Sequence, residues 1–213
     1  MYIPNHLPSE LSVHWATFLD TVPDEENASN AQVTVIPVPY DSTTSYMTGA
    51  RYGPGAIIRA SRHMEDYDLE LDRDISEIGI YTMPEITPDY SSPQATIELV
   101  AVSVNHVLAQ AKMPVVLGGD HMVGLGAIMA VARRIDDISV LYLDAHADMR
   151  NTYMGTSWGH ASVARRAYDI CPVTLAGVRS LSQEEKRFID ANDIPVFYEG
   201  SFRDDTRKTF ENI

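Results

Sequence analysis

The sequence predicts an α/β protein, a mostly parallel sheet covered by helices in a three-layer α/β/α arrangement. Short apolar runs alternate with longer stretches whose apolar residues recur at helical spacing, the order of repeated β-α-β units. The runs are near-continuously hydrophobic, as strands buried on both faces must be. A hydrophobic content of 45% over 213 residues is enough for one substantial core, and no internal repeat or low-complexity tract interrupts the pattern.

Residues 1–30, ending in the polar DEENASN, read as an N-terminal arm, and residues 31–213 as the α/β domain. VTVIPVPY (33–40) is a buried strand, and the Gly/Pro-rich TGARYGPGA opens a helix containing Ile57 and Ile58. SEIGIYT (76–82) is a second strand. In SSPQATIELVAVSVNHVLAQA, Ser92 is placed to cap, Pro93 takes the first helical position, and Ile97, Val100, Val104 and Leu108 form one apolar stripe. Strand MPVVLGG, helix MVGLGAIMAVARRI, strand ISVLYLD, helix HASVARRAYD and strand PVTLAGV follow. Ser182 starts a helix with the capping box SQEE, and IPVFY is a last short strand.

Thirty acidic residues against sixteen basic ones give a net charge of -14. Such a charge argues against a nucleic-acid or anionic-membrane partner and suits a cationic or metal-bound substrate. Cys171 is the one cysteine, so no internal disulfide can form, and a reducing compartment is expected. The first twenty residues carry prolines and acids where a signal peptide needs a basic start and an apolar run. No segment reaches the roughly 18 apolar residues of a membrane span. The expected location is the cytoplasm.

In sheets of this kind ligands bind beyond the carboxyl ends of the strands. GGDH, with His121, follows one strand, and DAHAD, with Asp144, His146 and Asp148, follows another strand of the same expected sheet. If the extended backbone continues through DAHAD, these three side chains point to one side, and Ala145 and Ala147 to the other. Two carboxylates and an imidazole held together at a dry sheet end repel or shift their pKa values, and a divalent cation resolves the conflict. Mixed imidazole and carboxylate donors suit Mn, Fe(II), Co or Zn better than Ca, and no thiolate lies nearby. The simpler alternative for a lone D-x-H-x-D is a hydrogen-bonded loop network; the second motif at the preceding strand end favours metal.

Two readings stand for Asp120, an outer partner of a ligand imidazole or a loop cap. His160, in GTSWGHAS, is placed to start a helix, and its Gly-rich approach also permits a loop folded over the metal pocket. His6, His14, His63 and His106 have no acidic constellation around them. The glycines of GARYGPG match neither the P-loop nor the dinucleotide fingerprint, so conformational need explains them better.

GGDH, DAHADMR, GTSWGHASVARR and TGARYGPGAIIRAS together resemble the ureohydrolase family of arginases and agmatinases, over roughly residues 33 to 200. GARYGPGAIIRAS and the His-Ala-Ser-Val-x-Arg-Arg run are most similar to the agmatinase branch. The resemblance implies an arginase/deacetylase-like sheet and two Mn2+ ions per subunit in a complete enzyme. It also implies hydrolysis of a small cationic guanidino substrate, agmatine, to urea and putrescine by activated water. It assigns His121 and Asp148 to one metal, His146 to the other, Asp144 to both, and proton transfer to the departing amine to His160. Relatives are commonly trimers or hexamers, so a homo-oligomer is expected.

The sequence departs from that family in one respect. The third motif, S-x-D-x-D-x-x-D-P, and the downstream glutamate that holds guanidinium are absent, leaving four of the expected ligands. Asp204 and Asp205 in SFRDDT are adjacent, diverge on a strand, and do not replace them. The β-α alternation stops mid-pattern, so the chain is read as part of a longer enzyme; a natural truncation and a catalytically silent relative are the alternatives. An exposed apolar sheet edge, and weak or no turnover by this chain alone, follow as expectations. More distant readings are arginine or another guanidino acid as substrate, a metal-dependent phosphoesterase, an amide hydrolase and a non-catalytic interaction protein. Asn151, Tyr153 and Trp158 are the expected pocket neighbours.

Overall fold

The computed structural model describes residues 16–211. His6, His14 and the first half of the arm lie outside the described residues. The rest of the arm is tied to the body. Phe18 donates its N–H to Thr82 Oγ1 and Leu19 donates to Ser61 Oγ, both at 2.9 Å. Asp24 accepts from the Asn27 N–H and so caps α1 (Glu25–Asn30).

β1 (Val33–Val38) is followed by α2 (Gly53–Ser61) and by a small antiparallel pair, β2 (Tyr67–Asp68) and β3 (Arg73–Asp74), that no sequence signal announces. β4 (Ile80–Thr82) is shorter than the strand expected over 76–82. Asp74 caps the Ser76 N–H and winds Ile75–Ile78 into a 3-10 turn first. α3 (Pro93–Ala109) starts as the sequence indicates, with Ser92 Oγ accepting from the Ala95 N–H. β5 (Met113–Gly118) leads through a 3-10 turn at His121–Val123 into α4 (Gly124–Ala132). After β6 (Val140–Leu143), a 3-10 turn at His160–Ser162 opens α5 (Val163–Tyr168), and β7 (Val173–Val178) follows. α6 (Gln183–Ala191) carries the complete Ser182/Glu185 capping box, and β8 (Val196–Tyr198), α7 (Glu199–Asp204) and α8 (Thr206–Glu211) end the described chain.

The α/β class and the parallel pairing hold, but the ladder is divided. β4-β1-β5 form one parallel sheet and β6-β7-β8 another, where the sequence pattern had suggested a single sheet. Backbone pairing stops at β5 and at β6, so each of these strands has one paired neighbour among the described residues. The β6 edge is apolar and open: Leu141 is 51% and Leu143 70% exposed. An unpaired edge of this kind is a template for further pairing.

α3 and α4 pack together over the first sheet, burying Val100 and Val104 completely. Each such burial contributes about 1.5–3 kcal/mol. Their contact requires glycine at 126, where a Cβ would lie 2.5 Å from the Ile97 carbonyl oxygen. A second core joins Leu175, Met149, Val163 and Ile189 behind β6 and β7. No helix among the described residues is long and apolar enough to cross a membrane. Two of the four edge strands of these sheets, β5 and β6, run into GGDH and DAHAD.

Candidate metal centre

On the β5 side the chain turns sharply after Gly118. Asp120 donates its N–H to the Tyr40 carbonyl at 2.6 Å, and a Cβ at Gly119 would sit 2.3 Å from that same oxygen. Only glycine permits this approach. The Asp120 carboxylate, 2% exposed, accepts from the Met122 N–H at 3.1 Å, the Thr43 N–H at 2.9 Å and the Thr43 hydroxyl at 2.5 Å. These bonds make Asp120 the loop cap and a tie to the β1 loop, which settles the two readings left by sequence. His121 then starts the 3-10 turn with its ring toward the opposite strand end.

On the β6 side, Asp144 extends the ladder by one bond, its N–H donating to Ala176 O at 3.0 Å. Pairing continues as a parallel bridge between His146 and Ser180, and the extended geometry ends at Asp148. Asp148 has φ of 48°, in the left-handed region, where aspartate is among the few tolerated residues at a cost of about 1–3 kcal/mol. All three side chains border one cavity, and the turn at Asp148 sets how deeply each lies. Asp148 curls back toward Asp144 and His121, whereas His146 stays exposed beside Asp144. Ala147 is fully buried in the core, consistent with the need for a small residue there.

His121 Nδ1, an oxygen of Asp144 and an oxygen of Asp148 all lie within 4.8 Å of one another, a separation that a single divalent ion can serve. His121 Nδ1 is 3.2 Å from Asp144 Oδ2 and 3.1 Å from Asp148 Oδ2. The other oxygen of Asp144, Oδ1, accepts the His146 N–H at 2.8 Å and lies 3.4 Å from His146 Nδ1. Asp144 therefore turns one oxygen to each imidazole. Burial pulls the His121 pKa down, but the Asp148 hydrogen bond and the charges of Asp148, Asp144 and Asp120 outweigh it, and the net direction is up.

Sequence reasoning passed over Tyr142, a β6 residue that looks like core. Its hydroxyl donates to Asp148 Oδ2 at 2.8 Å and lies 3.0 Å from His121 Nδ1, and its ring stacks on His121 at 4.9 Å between centroids. Burial, reinforced by Asp148, raises its pKa, so it stays a neutral donor. A strand whose alternate residues are apolar gives no hint that one of them faces a carboxylate. Glu185 was legible as a capping residue only. Its Oε2 accepts from the Ser182 N–H at 2.6 Å, and its Oε1 accepts from the Met149 N–H at 3.0 Å, holding the backbone next to Asp148.

His121, Asp144, His146, Asp148 and Glu185 line a cavity of about 510 Å³ that also includes Ser45, Arg150, Tyr153 and His160. His160 Nδ1 is 2.7 Å from the Thr43 carbonyl oxygen, and the ring meets Tyr153 edge-on at 5.8 Å. Arg150 lies over Tyr153, 4.9 Å from the ring centroid. Of the three expected neighbours, Tyr153 lines this cavity. Trp158 lines a separate apolar pocket near α4 and α5, and Asn151 is engaged on the surface by Arg166. His63 and His106 are both exposed and lie outside the cluster.

A parallel α/β fold with a carboxylate–imidazole cluster beyond its strand ends defines the class of α/β proteins with a metal-competent site at the carboxyl ends of the sheet. Comparison with known sequences makes the assignment specific. The profile of the arginase family matches residues 31–213, and the chain belongs to that family. It is 32% identical over 200 residues to the N(1)-aminopropylagmatine ureohydrolase of Synechocystis sp., covering 91% of this chain and 65% of that one. It is 30% identical to the agmatinase of Bacillus subtilis over 75% of this chain and 56% of that one. The crystal structure of the agmatine ureohydrolase of Thermoplasma volcanium superposes with a TM-score of 0.81 at 28% identity, covering 91% of this chain and 67% of that one. The chain thus spans about 65% of the length of the Synechocystis relative.

Proposed function

We propose that this chain carries a manganese centre for hydrolysis of a cationic guanidino-alkylamine, with agmatine as the substrate and urea and putrescine as products. The supporting observation is the disposition of Asp144, whose two oxygens face two different imidazoles, His121 at 3.2 Å and His146 at 3.4 Å. The donor set fits the ion. Two carboxylates and an imidazole converge, the imidazole pKa is raised by those carboxylates, and a divalent cation offsets their charge. His121, Asp148 and Asp144 would hold one Mn2+, and Asp144 with His146 a second. Bound manganese supplies activated water at neutral pH.

The residues of the chain do the remaining work. Glu185 is the cavity carboxylate that the ions would not neutralise, with Arg150 Nε 3.8 Å from it, and the substrate's guanidinium group keeps its charge at neutral pH. Hydrolysis consumes one water: a C–O bond forms at the guanidinium carbon, the C–N bond to the alkyl chain breaks, and the amine leaves as an ammonium ion. The proton that the attacking water loses is taken up by His160, whose ring borders the cavity, and handed on to the departing amine. The names of the relatives, N(1)-aminopropylagmatine ureohydrolase in Synechocystis and agmatinase in Bacillus subtilis, support this substrate class. We also place the protein in the cytoplasm as a homo-oligomer, by family resemblance.

The test is calorimetric and chemical. Agmatine is expected to bind the Mn2+-loaded chain and not the chelator-treated chain. Urea release is expected to be slow, because the chain supplies a single carboxylate facing both metal positions. Agmatine binding that persists after chelation, or preferential hydrolysis of a phosphate ester, contradicts the proposal. Rapid urea release contradicts the four-ligand account of its weakness.

A further inference from the structure

We infer that Thr43, anchored by Asp120, is a positioning residue for His160, holding the imidazole with Nδ1 protonated and Nε2 free to exchange a proton in the cavity. This rests on the reading of His160 as the proton donor and adds the device that sets its protonation geometry. Thr43 belongs to the loop after β1, far in sequence from both partners, and lies among residues with no assigned chemistry.

The polarity of the contacts is determined atom by atom. The Thr43 hydroxyl gives its single proton to Asp120 Oδ2 at 2.5 Å, an oxygen that also accepts the Thr43 N–H at 2.9 Å. Thr43 Oγ1 is then free to accept, and the His160 N–H donates to it at 3.1 Å. The Thr43 carbonyl oxygen also only accepts, and it lies 2.7 Å from His160 Nδ1. Nδ1 must therefore carry a proton, which in a neutral imidazole leaves Nε2 as the acceptor. Asp120 is fixed in turn by the Met122 N–H and by its own N–H on Tyr40 O, so the chain ends in the rigid turn that also presents His121.

One threonine thus joins the β1 loop, the GGDH turn and the His160 turn. Such a tie orients the imidazole before substrate arrives, and a side chain that acts on a proton gains most from a fixed tautomer. The edge-on ring of Tyr153 borders His160 without offering Nδ1 a competing acceptor.

Histidine-selective ¹⁵N labelling of the chain, with two-bond ¹H–¹⁵N correlation spectra, reads this tautomer without any turnover. The His160 signal is identified by its loss in His160→Asn. The expected wild-type result is a neutral ring protonated on Nδ1. Thr43→Ser keeps the hydroxyl and should preserve that pattern. Thr43→Val removes it, leaves Asp120 without its short bond, and should replace the single pattern by a mixture of tautomers, with Mn2+ affinity unchanged within about 2-fold. A wild-type ring protonated on Nε2, or a Thr43→Val spectrum identical to wild type, overturns the inference. If Thr43→Val does not fold, the wild-type and Thr43→Ser spectra still decide it, and neither depends on whether agmatine is the substrate.

Discussion

Two pairs of buried or half-buried aspartates in this fold are built in opposite ways. Asp41 and Asp120 are filled with donors. Asp41, fully buried, accepts the Gly49 N–H at 2.7 Å, the Arg51 N–H at 3.3 Å and Arg51 Nε at 2.6 Å, and Asp120 has its three bonds to Met122 and Thr43. Asp144 and Asp148 face imidazoles and a tyrosine hydroxyl, with the His146 N–H as the backbone donor between them. A carboxylate has about four acceptor positions. Where N–H groups occupy them, the acid is an architectural part. Where imidazoles that can lose their protons surround it, the acid retains positions for a cation. The difference separates residues that hold the loops from residues that bind.

The largest expected effect lies in the second pair. Asp148→Ala should weaken Mn2+ binding by more than about 100-fold, beyond the range typical of residues that only support a ligand. The melting temperature of the metal-free chain should change little, because removing one of two crowded negative charges offsets the extra strain that Ala meets in the left-handed turn. A large fall in the metal-free melting temperature would erase the distinction. Asp41→Ala should do the reverse, leaving two backbone donors unpaired at about 1–3 kcal/mol each in denaturant unfolding, with little change in metal affinity per folded molecule.

Tyr142→Phe is the intermediate case. Removing the hydroxyl that steadies Asp148 should weaken Mn2+ binding about 10-fold by calorimetry, with far-UV circular dichroism unchanged. Unchanged affinity would return Tyr142 to the core, where its sequence pattern puts it.

The smallest effect concerns acid. The hydrogen bond from Arg51, outweighing the upward push of burial, and the Gly49 and Arg51 N–H groups hold the Asp41 carboxyl below its ordinary value of 3.8. With the folded pKa the lower of the two, the unfolded chain takes up the proton first as pH falls. The stabilisation is therefore present above pH 3.8 and is lost as pH drops through the folded pKa. Asp41→Asn should flatten that acid limb in pH-dependent unfolding, and an unaltered limb would remove Asp41 from the architectural pair.

Much of this was legible in the sequence because its signals are local. Ser92 before Pro93, the Ser182 to Glu185 box and the continuous apolar runs each determine an element from a few neighbouring residues. GGDH and DAHAD were legible for the same reason, since both sit immediately beyond a strand. What depends on distant contacts was not legible. The left-handed turn at Asp148, which buries that residue while His146 stays exposed, is not written in the alternation of DAHAD. Tyr142 and Glu185 act on Asp148 and on the Met149 backbone through tertiary contacts invisible along the chain. The division of the sheet at β5 and β6 is likewise a property of pairing between remote strands, which composition does not encode.

The central claim is that the polar ends of β5 and β6 form a cation site organised by Asp144. Electron paramagnetic resonance of Mn2+ titrated into the metal-free chain tests it most directly, since free hexaaquo Mn2+ gives a strong signal that disappears on binding. The account predicts saturable loss of that signal in the wild type and a signal close to that of free ion in Asp144→Ala, with Asp120→Asn still binding. A wild-type chain that leaves the free signal intact, or an Asp144→Ala variant that binds as the wild type does, contradicts it.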